Sequence, residues 1–468
     1  MTQYVDLAIV GAGSAGLIGA DFAATLGAKV ALLESHRIGG DCTWTGCVPS
    51  KALIRAAHLA HDAGHGAPFG IEVTSAHADM PRVRERIRGA VATIYEHTTP
   101  EALKGRGVCV CIGPTAFVDA HTIGCGDQRF VAKHVLICTG ARATIPHVEG
   151  LSGVPFLTYE TLFELDALPS HLIVMGTGPI GVEIAQAFGR LGARVTIVGP
   201  QLLAREEPET QALIAHILRR EGVEVVLERA THVGRVNGAV ELRTATRAFT
   251  GDRLLVAAGR TPNVASLALE RAGVAHDATG IRVDKYLRTN VRQVYACGDV
   301  IGGAQFSHLA GWQAFQAVRN ALLPGRAAGL PDALPAATFS DPEVARVGFT
   351  EAEARTALGA RVEAHSWPMS KADRAVCDGQ TDGFIKLITL GGRKIIGGTI
   401  VAARAGEMIA ELTLAVRMGL SVDTIAGTIH AYPTWSSAVQ LAALDVMMAR
   451  FRTSRGGRMI RWLSRLSR

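Results

Sequence analysis

The sequence predicts an α/β fold with two Rossmann-like units and a smaller α+β module at the end, and three observations carry that prediction. The first is one pattern that occurs twice, at residues 5–35 (VDLAIVGAGSAGLIGADFAATLGAKVALLES) and 170–200 (SHLIVMGTGPIGVEIAQAFGRLGARVTIVGP). Each copy is an apolar run, a G-x-G-x-x-G, an Ala-rich stretch and a second β-branched run, which reads as strand, tight turn, helix, strand. The second is composition: 468 residues with 52 glycines, 48% apolar and 19% charged, a Gly-rich α/β balance too long for one core. The third is a change of texture near residue 335. Beyond it, stretches such as GFIKLITLGGRKIIGGTIV (383–401) alternate between tight Gly turns in the manner of antiparallel strands.

Taken in order, the chain opens on YVDLAIVGAG, which lacks a basic leader and runs straight into the first glycine turn. It reads as a strand of the mature protein, not a signal peptide. No apolar run reaches the ~18 residues of a membrane span. Gly11, Gly13 and Gly16, with Ser14, shape a turn whose following helix N-terminus suits a pyrophosphate. Glu34 ends the second strand, where an acid binds a ribose 2′-hydroxyl. Next comes GGDCTWTGCVPSK (39–51), with Cys42 and Cys47 five residues apart. Five residues of ideal helix rise about 7.5 Å, whereas a disulfide needs Cα atoms roughly 4.4–6.8 Å apart. Either the helix start is distorted, for which Gly39, Gly40 and Gly46 supply backbone freedom, or the cysteines are not a pair. Eight cysteines in a chain of this length do not make a disulfide scaffold. Cys109, Cys111 and Cys138 sit in apolar runs and read as inert core thiols. A reducing cytoplasm is the default, and there a tightly spaced pair is catalytic more readily than structural. His58, His61 and His65 have helical spacing and read as a solvated helix face, so no metal site is expected.

The second glycine turn is Gly176, Gly178 and Gly181. Its second strand ends in Gly199-Pro200 instead of an acid, with Arg205 close by for a 2′-phosphate, which leans towards NADPH over NADH. HVLICTGARATIP (134–146), with Thr139 and Gly140, and LLVAAGRTPN (254–263), with Gly259, are apolar strands ending in small-residue turns, as where backbone passes a nucleotide. TNVRQVYACGDV (289–300) ends a strand at Gly298-Asp299. That aspartate either caps a helix or holds a flavin side chain, and two dinucleotide folds favour the second. After 335 a helix is expected from about Gly406 to Met418, with Leu414, Val416 and Leu420 as a core stripe. IHAYPTWSSAVQLAALDVMM (429–448) is a turn entering a long helix. The domains predicted are 1–148, 149–264, 265–334 and 335–450, followed by a basic tail, 451–468. The formal charge is +6, but Arg450 begins a run of seven arginines without an acid. Removing those seven leaves the body near −1, so nothing suggests a nucleic-acid-binding body. Arginines alternating with Phe451, Ile460, Trp462, Leu463 and Leu466 would suit peripheral contact with an anionic membrane.

In these motifs, and in their order, residues 4–448 resemble the class I pyridine nucleotide–disulfide oxidoreductases. The resemblance implies FAD against Gly11, Gly13, Ser14, Gly16, Glu34, Gly40, Ala116, Thr139, Gly140, Gly298 and Asp299. It implies NADPH or NADH at Gly176, Gly178, Gly181, Glu183, Arg205 and Gly259. It further implies a homodimer through the C-terminal domain, each site completed by the other subunit's C-terminal turn. Cys47 would stand beside the flavin and Cys42 would meet a small-molecule acceptor. Lys51 would lie near flavin N5, paired with Glu183. The departure lies in HAYPTWSS. Disulfide-reducing members resemble H-x-H-P-T-x-x-E; here His430 keeps the first position, Tyr432 replaces the catalytic His and Ser437 replaces the Glu. Tyrosine at this place is similar to mercuric reductase, yet no cysteine follows Cys377. The implied activity is electron transfer from NAD(P)H through a Cys42–Cys47 disulfide to a metal ion such as mercuric, an oxidised electrophile or a disulfide. The alternatives are a redox-responsive binding protein and a dihydrolipoamide- or glutathione-type reductase.

Overall fold

A computed structural model describes residues 1–74, 77–454 and 459. The expected tail therefore lies almost wholly outside the described residues. The chain divides into two compact units, residues 1–201 with 221–331, and residues 202–220 with 332–468.

In the first unit, β1 (Thr2–Val10), helix α1 (Ser14–Thr25) and β2 (Val30–Glu34) form the opening βαβ. β2 and the second half of β1 are unbroken apolar runs because helices and loops cover both faces of their sheet. β3 (Val108–Ile112) extends it beyond β2. On the other side of β1 lies β6 (Gln128–Ile137), parallel to it, with Val10 opposite Ile137. The first half of β6 also pairs antiparallel with β5 (Thr122–Cys125), which pairs with β4 (Thr115–Phe117). Its second half pairs parallel with a short strand, Val294–Ala296. The carboxyl ends of β1, β2, β6 and Val294–Ala296 therefore share one edge. That edge carries Gly11, Glu34, Thr139 and Gly298, where open parallel sheets bind ligands. Leu7, Ile9, Leu32 and Leu136 are fully buried under Ala20 and Ala23 of α1 and Ala314 and Val318 of the helix Ser307–Leu322. The second glycine turn belongs to a four-stranded parallel sheet in the order Glu224–Val226, Arg194–Val198, His171–Met175, Arg253–Val256.

The second unit is a five-stranded antiparallel sheet in the order Ala336–Thr338, Glu343–Gly348, Lys394–Ala402, Phe384–Leu390, Val362–Pro368. Helices Ala405–Met418 and Ser437–Thr453 complete its core. The expected stripe is corrected here. Met408, Ile409, Leu412 and Ala415 face the core and the partly buried Val416 and Leu420 pack against it as expected, but Leu414 is 57% exposed. Leu414 lies two residues past Leu412, about 200° round the helix, so it cannot share that face. Lys386 is buried in the sheet and held by Glu207, Glu209 and Glu351 at 3.2, 2.6 and 2.7 Å, as a buried cation must be.

Candidate active site

The first glycine turn is a cradle that side chains would fill. Gly11 has φ +104°, and a Cβ there would lie 2.5 Å from the Cys138 carbonyl oxygen; a Cβ on Gly16 would lie 1.9 Å from the Gly11 oxygen. Gly13 instead faces open space, with only the Gly40 Cα near, at 3.8 Å. As N-cap of α1 it leaves the first-turn N–H groups without a side-chain cap, a ready anion site. The Glu34 carboxylate accepts the Ala12 and His36 N–H groups at 2.8 and 2.9 Å. Thr139 Oγ1 donates to the Asn263 carbonyl at 2.7 Å, and Gly140 has φ +69°. Asp299 follows the strand Val294–Ala296 and pairs with Arg260 at 3.1 Å. Burial raises the Asp299 pKa, with the Arg260 charge working against it. Ala116 lies in β4, opposite Gly124. Arg260 Nε is buried with no hydrogen-bond acceptor among the described residues. An open pyrophosphate cradle, an acid at the β2 end and a buried Asp299 fit FAD.

The redox turn packs on this cradle: a Cβ on Gly40 would lie 2.7 Å from the Gly13 Cα. Gly39 takes φ +111° and starts a five-residue helix, α2 (Gly40–Trp44); Cys47 then opens α3 (Cys47–Gly64). The chain breaks at Thr45 and Gly46, where a Cβ on Gly46 would lie 2.9 Å from the Asp41 oxygen. Cys42 and Cys47 thus sit on successive helices, not one ideal helix. They are present as thiols, hydrogen-bonded to each other. The bond from Cys47 draws the Cys42 pKa down to about 6, against its burial and with help from Ser307 and Ser14. The Cys47 pKa is driven up by the same bond, by burial and by the Cys42 charge, while Ser307 and Lys51 oppose the rise. Ser307 Oγ lies 3.4 Å from Cys47 Sγ. Lys51 Nζ meets Glu183 Oε2 at 2.8 Å, the Glu183 side chain being buried. Ser307 carries no sequence signal of its own; it arrives on a helix that begins 260 residues after Cys47.

The second cradle repeats the first. Gly176 has φ +128°, and a Cβ there would lie 2.2 Å from the Ala257 oxygen; a Cβ on Gly181 would lie 1.9 Å from the Gly176 oxygen. Gly178 opens the helix Pro179–Arg190 with no side-chain cap and nothing within 4 Å of its Cβ position. A Cβ on Gly199 would lie 2.4 Å from Thr177 Oγ1, so the absent acid reflects a space already filled. Gly259 has φ +120°. Arg205 is exposed and belongs to the second unit.

In the second unit, His430 Nε2 lies 2.9 Å from Glu411 and Nδ1 2.9 Å from the Thr428 carbonyl. Burial opposes the charged ring, but the hydrogen bonds it donates to Glu411 and to the Thr428 carbonyl outweigh it and raise the pKa. Tyr432 is 72% exposed, and its hydroxyl donates to Asp373 Oδ2 at 2.6 Å. That bond and the Asp373 charge raise the Tyr432 pKa. Ser437 Oγ donates to the Thr434 carbonyl at 2.6 Å at the start of its helix, so the position of the expected carboxylate holds a hydroxyl bonded to its own turn. His61 and His65 stack at 4.0 Å.

A thiol pair that opens a helix against one dinucleotide cradle, in a unit that holds a second, is the layout of a flavin-dependent dithiol oxidoreductase fed by a nicotinamide. The chain belongs to the pyridine nucleotide-disulphide oxidoreductase family, whose model matches residues 5–321; the dimerisation-domain model of that family matches 334–443. It is an NAD(P)H-dependent flavoprotein disulfide oxidoreductase with Cys42 and Cys47 as its redox pair, and the dimerisation domain implies a homodimer. The chain is similar to mercuric reductase of Streptomyces lividans, 35% identical over 94% of this chain and 95% of that one. Mercuric reductase of Bacillus cereus is 34% identical over 94% of this chain and 71% of that one. Dihydrolipoyl dehydrogenase of Geobacillus stearothermophilus is 34% identical over 93% and 94%. Among solved structures, a Cu(II) complex of the HOCl-induced flavoprotein disulfide reductase RclA from Escherichia coli superposes with a TM-score of 0.86 at 27% identity. It covers 95% of this chain and 100% of that one. LpdA from Mycobacterium tuberculosis gives 0.86 at 28%, with the same coverage. Among the described residues no helix is long and apolar enough to cross a membrane.

Proposed function

We propose that this enzyme passes electrons from NADPH, in preference to NADH, to a thiol-reactive acceptor that needs no strong base. The acceptor class is a soft metal ion such as mercuric, a small oxidised electrophile, or a disulfide with a low-pKa leaving thiol. One observation carries this reading: at the position of the expected acid–base stands Tyr432, its proton held by Asp373 at 2.6 Å and its pKa raised. A phenol of ordinary pKa about 10 is already a poor base at neutral pH; raised further, it stays a neutral hydrogen-bonding group. Relatives named mercuric reductases support a metal ion among the acceptors.

Bound FAD supplies hydride acceptance from the nicotinamide and two-electron delivery to the disulfide. Cys42, low in pKa, serves as the attacking thiolate. With a disulfide acceptor it forms a mixed disulfide and expels one thiolate; Cys47 then attacks Cys42, closes the protein disulfide and releases the second thiol. Lys51 and Glu183 hold a compensated charge beside the thiol helix. Gly199 and the space filled by Thr177 put no carboxylate at the end of that strand to repel a 2′-phosphate. Anaerobic acceptor screening under NADH and NADPH tests the whole reading. Tyr432→Phe should slow acceptor reduction by at least about tenfold and leave flavin reduction by NADPH unchanged. Wild-type turnover of dihydrolipoamide at the rate of flavin reduction would overturn it.

A further inference from the structure

Besides the thiols and the glycine cradles, a partly buried charge cluster sits against the redox turn. Arg260 follows the strand Arg253–Val256, and its side chain is 17% exposed. Its Nη2 donates to Asp41 Oδ2 at 2.8 Å and to the Ala141 carbonyl at 3.1 Å, and pairs with Asp299 Oδ2 at 3.1 Å. The guanidinium lies 4.8 Å from the centre of the Tyr159 ring, and the Tyr159 hydroxyl donates to the same Asp41 oxygen at 2.9 Å. Asp41 is the residue immediately before Cys42. Asp299 is mostly buried and Asp41 half-exposed; two carboxylates brought this close repel each other unless a cation stands between them, and Arg260 is that cation.

We propose that Arg260 is a positioning residue that locks the redox turn to the flavin aspartate, gripping α2 through Asp41 and the flavin side-chain site through Asp299. Its second arm rests on the reading of Asp299 as a flavin ligand; its first does not. A guanidinium in this place does two things that packing alone does not. It holds the charge of Asp41, the neighbour of Cys42 in the chain, in balance, and it ties the hold on FAD to the hold on the thiols. Asp41→Asn removes a negative charge beside Cys42 and leaves the cation with one partner, so the Cys42 thiolate is favoured. Arg260→Gln leaves two carboxylates without their cation, so the thiolate is disfavoured.

The test uses FAD-loaded enzyme with the thiols reduced, and follows the pH midpoint of Cys42 alkylation by iodoacetamide. Asp41→Asn should lower the midpoint and Arg260→Gln should raise it, each by about half a unit, with Arg260→Lys returning towards wild type. FAD release, read by flavin fluorescence, should quicken at least about fivefold in Arg260→Gln and stay within about twofold in Asp41→Asn. Shifts of the same sign in both variants, as loosened packing would give, or FAD release unchanged in Arg260→Gln, would overturn the proposal. If Arg260→Gln does not fold, an unshifted midpoint in Asp41→Asn overturns it. Asp299→Asn is the separate control: FAD held as tightly as in wild type would remove the flavin reading of Asp299, and the alkylation midpoints would then decide the lock on Cys42.

Discussion

Replacing Cys47 with Ala should move the titration of Cys42 by two units or more. In the dithiol the Cys42 pKa is about 6, and the bond from Cys47 is the largest cause. Without it, burial opposes the hydroxyls of Ser307 and Ser14 and the backbone N–H of residue 47, so the thiol should return towards the ordinary value of about 8.5. At pH 7 the thiolate fraction then falls from about 0.9 to about 0.03. The rate falls much less. A thiolate of higher pKa is a better nucleophile, and a Brønsted slope of about 0.4–0.5 over about 2.5 units returns roughly tenfold. The net loss at pH 7 is only about threefold, so the midpoint and not the neutral rate is diagnostic. The sign is fixed by the direction of the shift: wild-type reactivity is present above pH about 6 and lost below it, whereas the variant loses it below about 8.5. The assay is iodoacetamide labelling of anaerobically reduced, FAD-loaded enzyme between pH 5 and 9, with the Cys42 peptide quantified by mass. A wild-type midpoint above about 8, or the same midpoint in both proteins, would refute the assignment of Cys42 as the attacking thiolate.

The two cradles give a paired prediction. Gly16→Ala places a methyl 1.9 Å from the Gly11 oxygen and Gly181→Ala one at 1.9 Å from the Gly176 oxygen. The first variant should purify with less than about a tenth of the normal flavin, while the second should keep its flavin but bind NADPH at least about tenfold more weakly, by absorbance and calorimetry respectively. For the tail, a chain ending at Arg450 should lose co-sedimentation with anionic vesicles at low salt and keep its flavin content, whereas the full chain should bind and detach as salt rises.

The sequence by itself determined the two βαβ units and the glycines that the cradles require, while the pairing of the cysteines came from the family resemblance. Each depends on a local spacing: strand, turn and helix follow each other within about thirty residues, and a Cβ clash at Gly11 or Gly176 is set by the turn itself. It also located the departure at Tyr432, because a missing histidine is visible without coordinates. What only the tertiary structure decided is the chemistry around those points. Asp373 reaches Tyr432 across 59 residues, Ser307 reaches Cys47 across 260, and Arg260 reaches Asp41 across 219. No periodicity or motif relates positions so far apart; packing brings them together and then shifts their charges. The corrected stripe shows the same limit within one helix. Leu414 is as apolar as Leu412, and only the sheet against which Ala405–Met418 lies decides which of the two is buried.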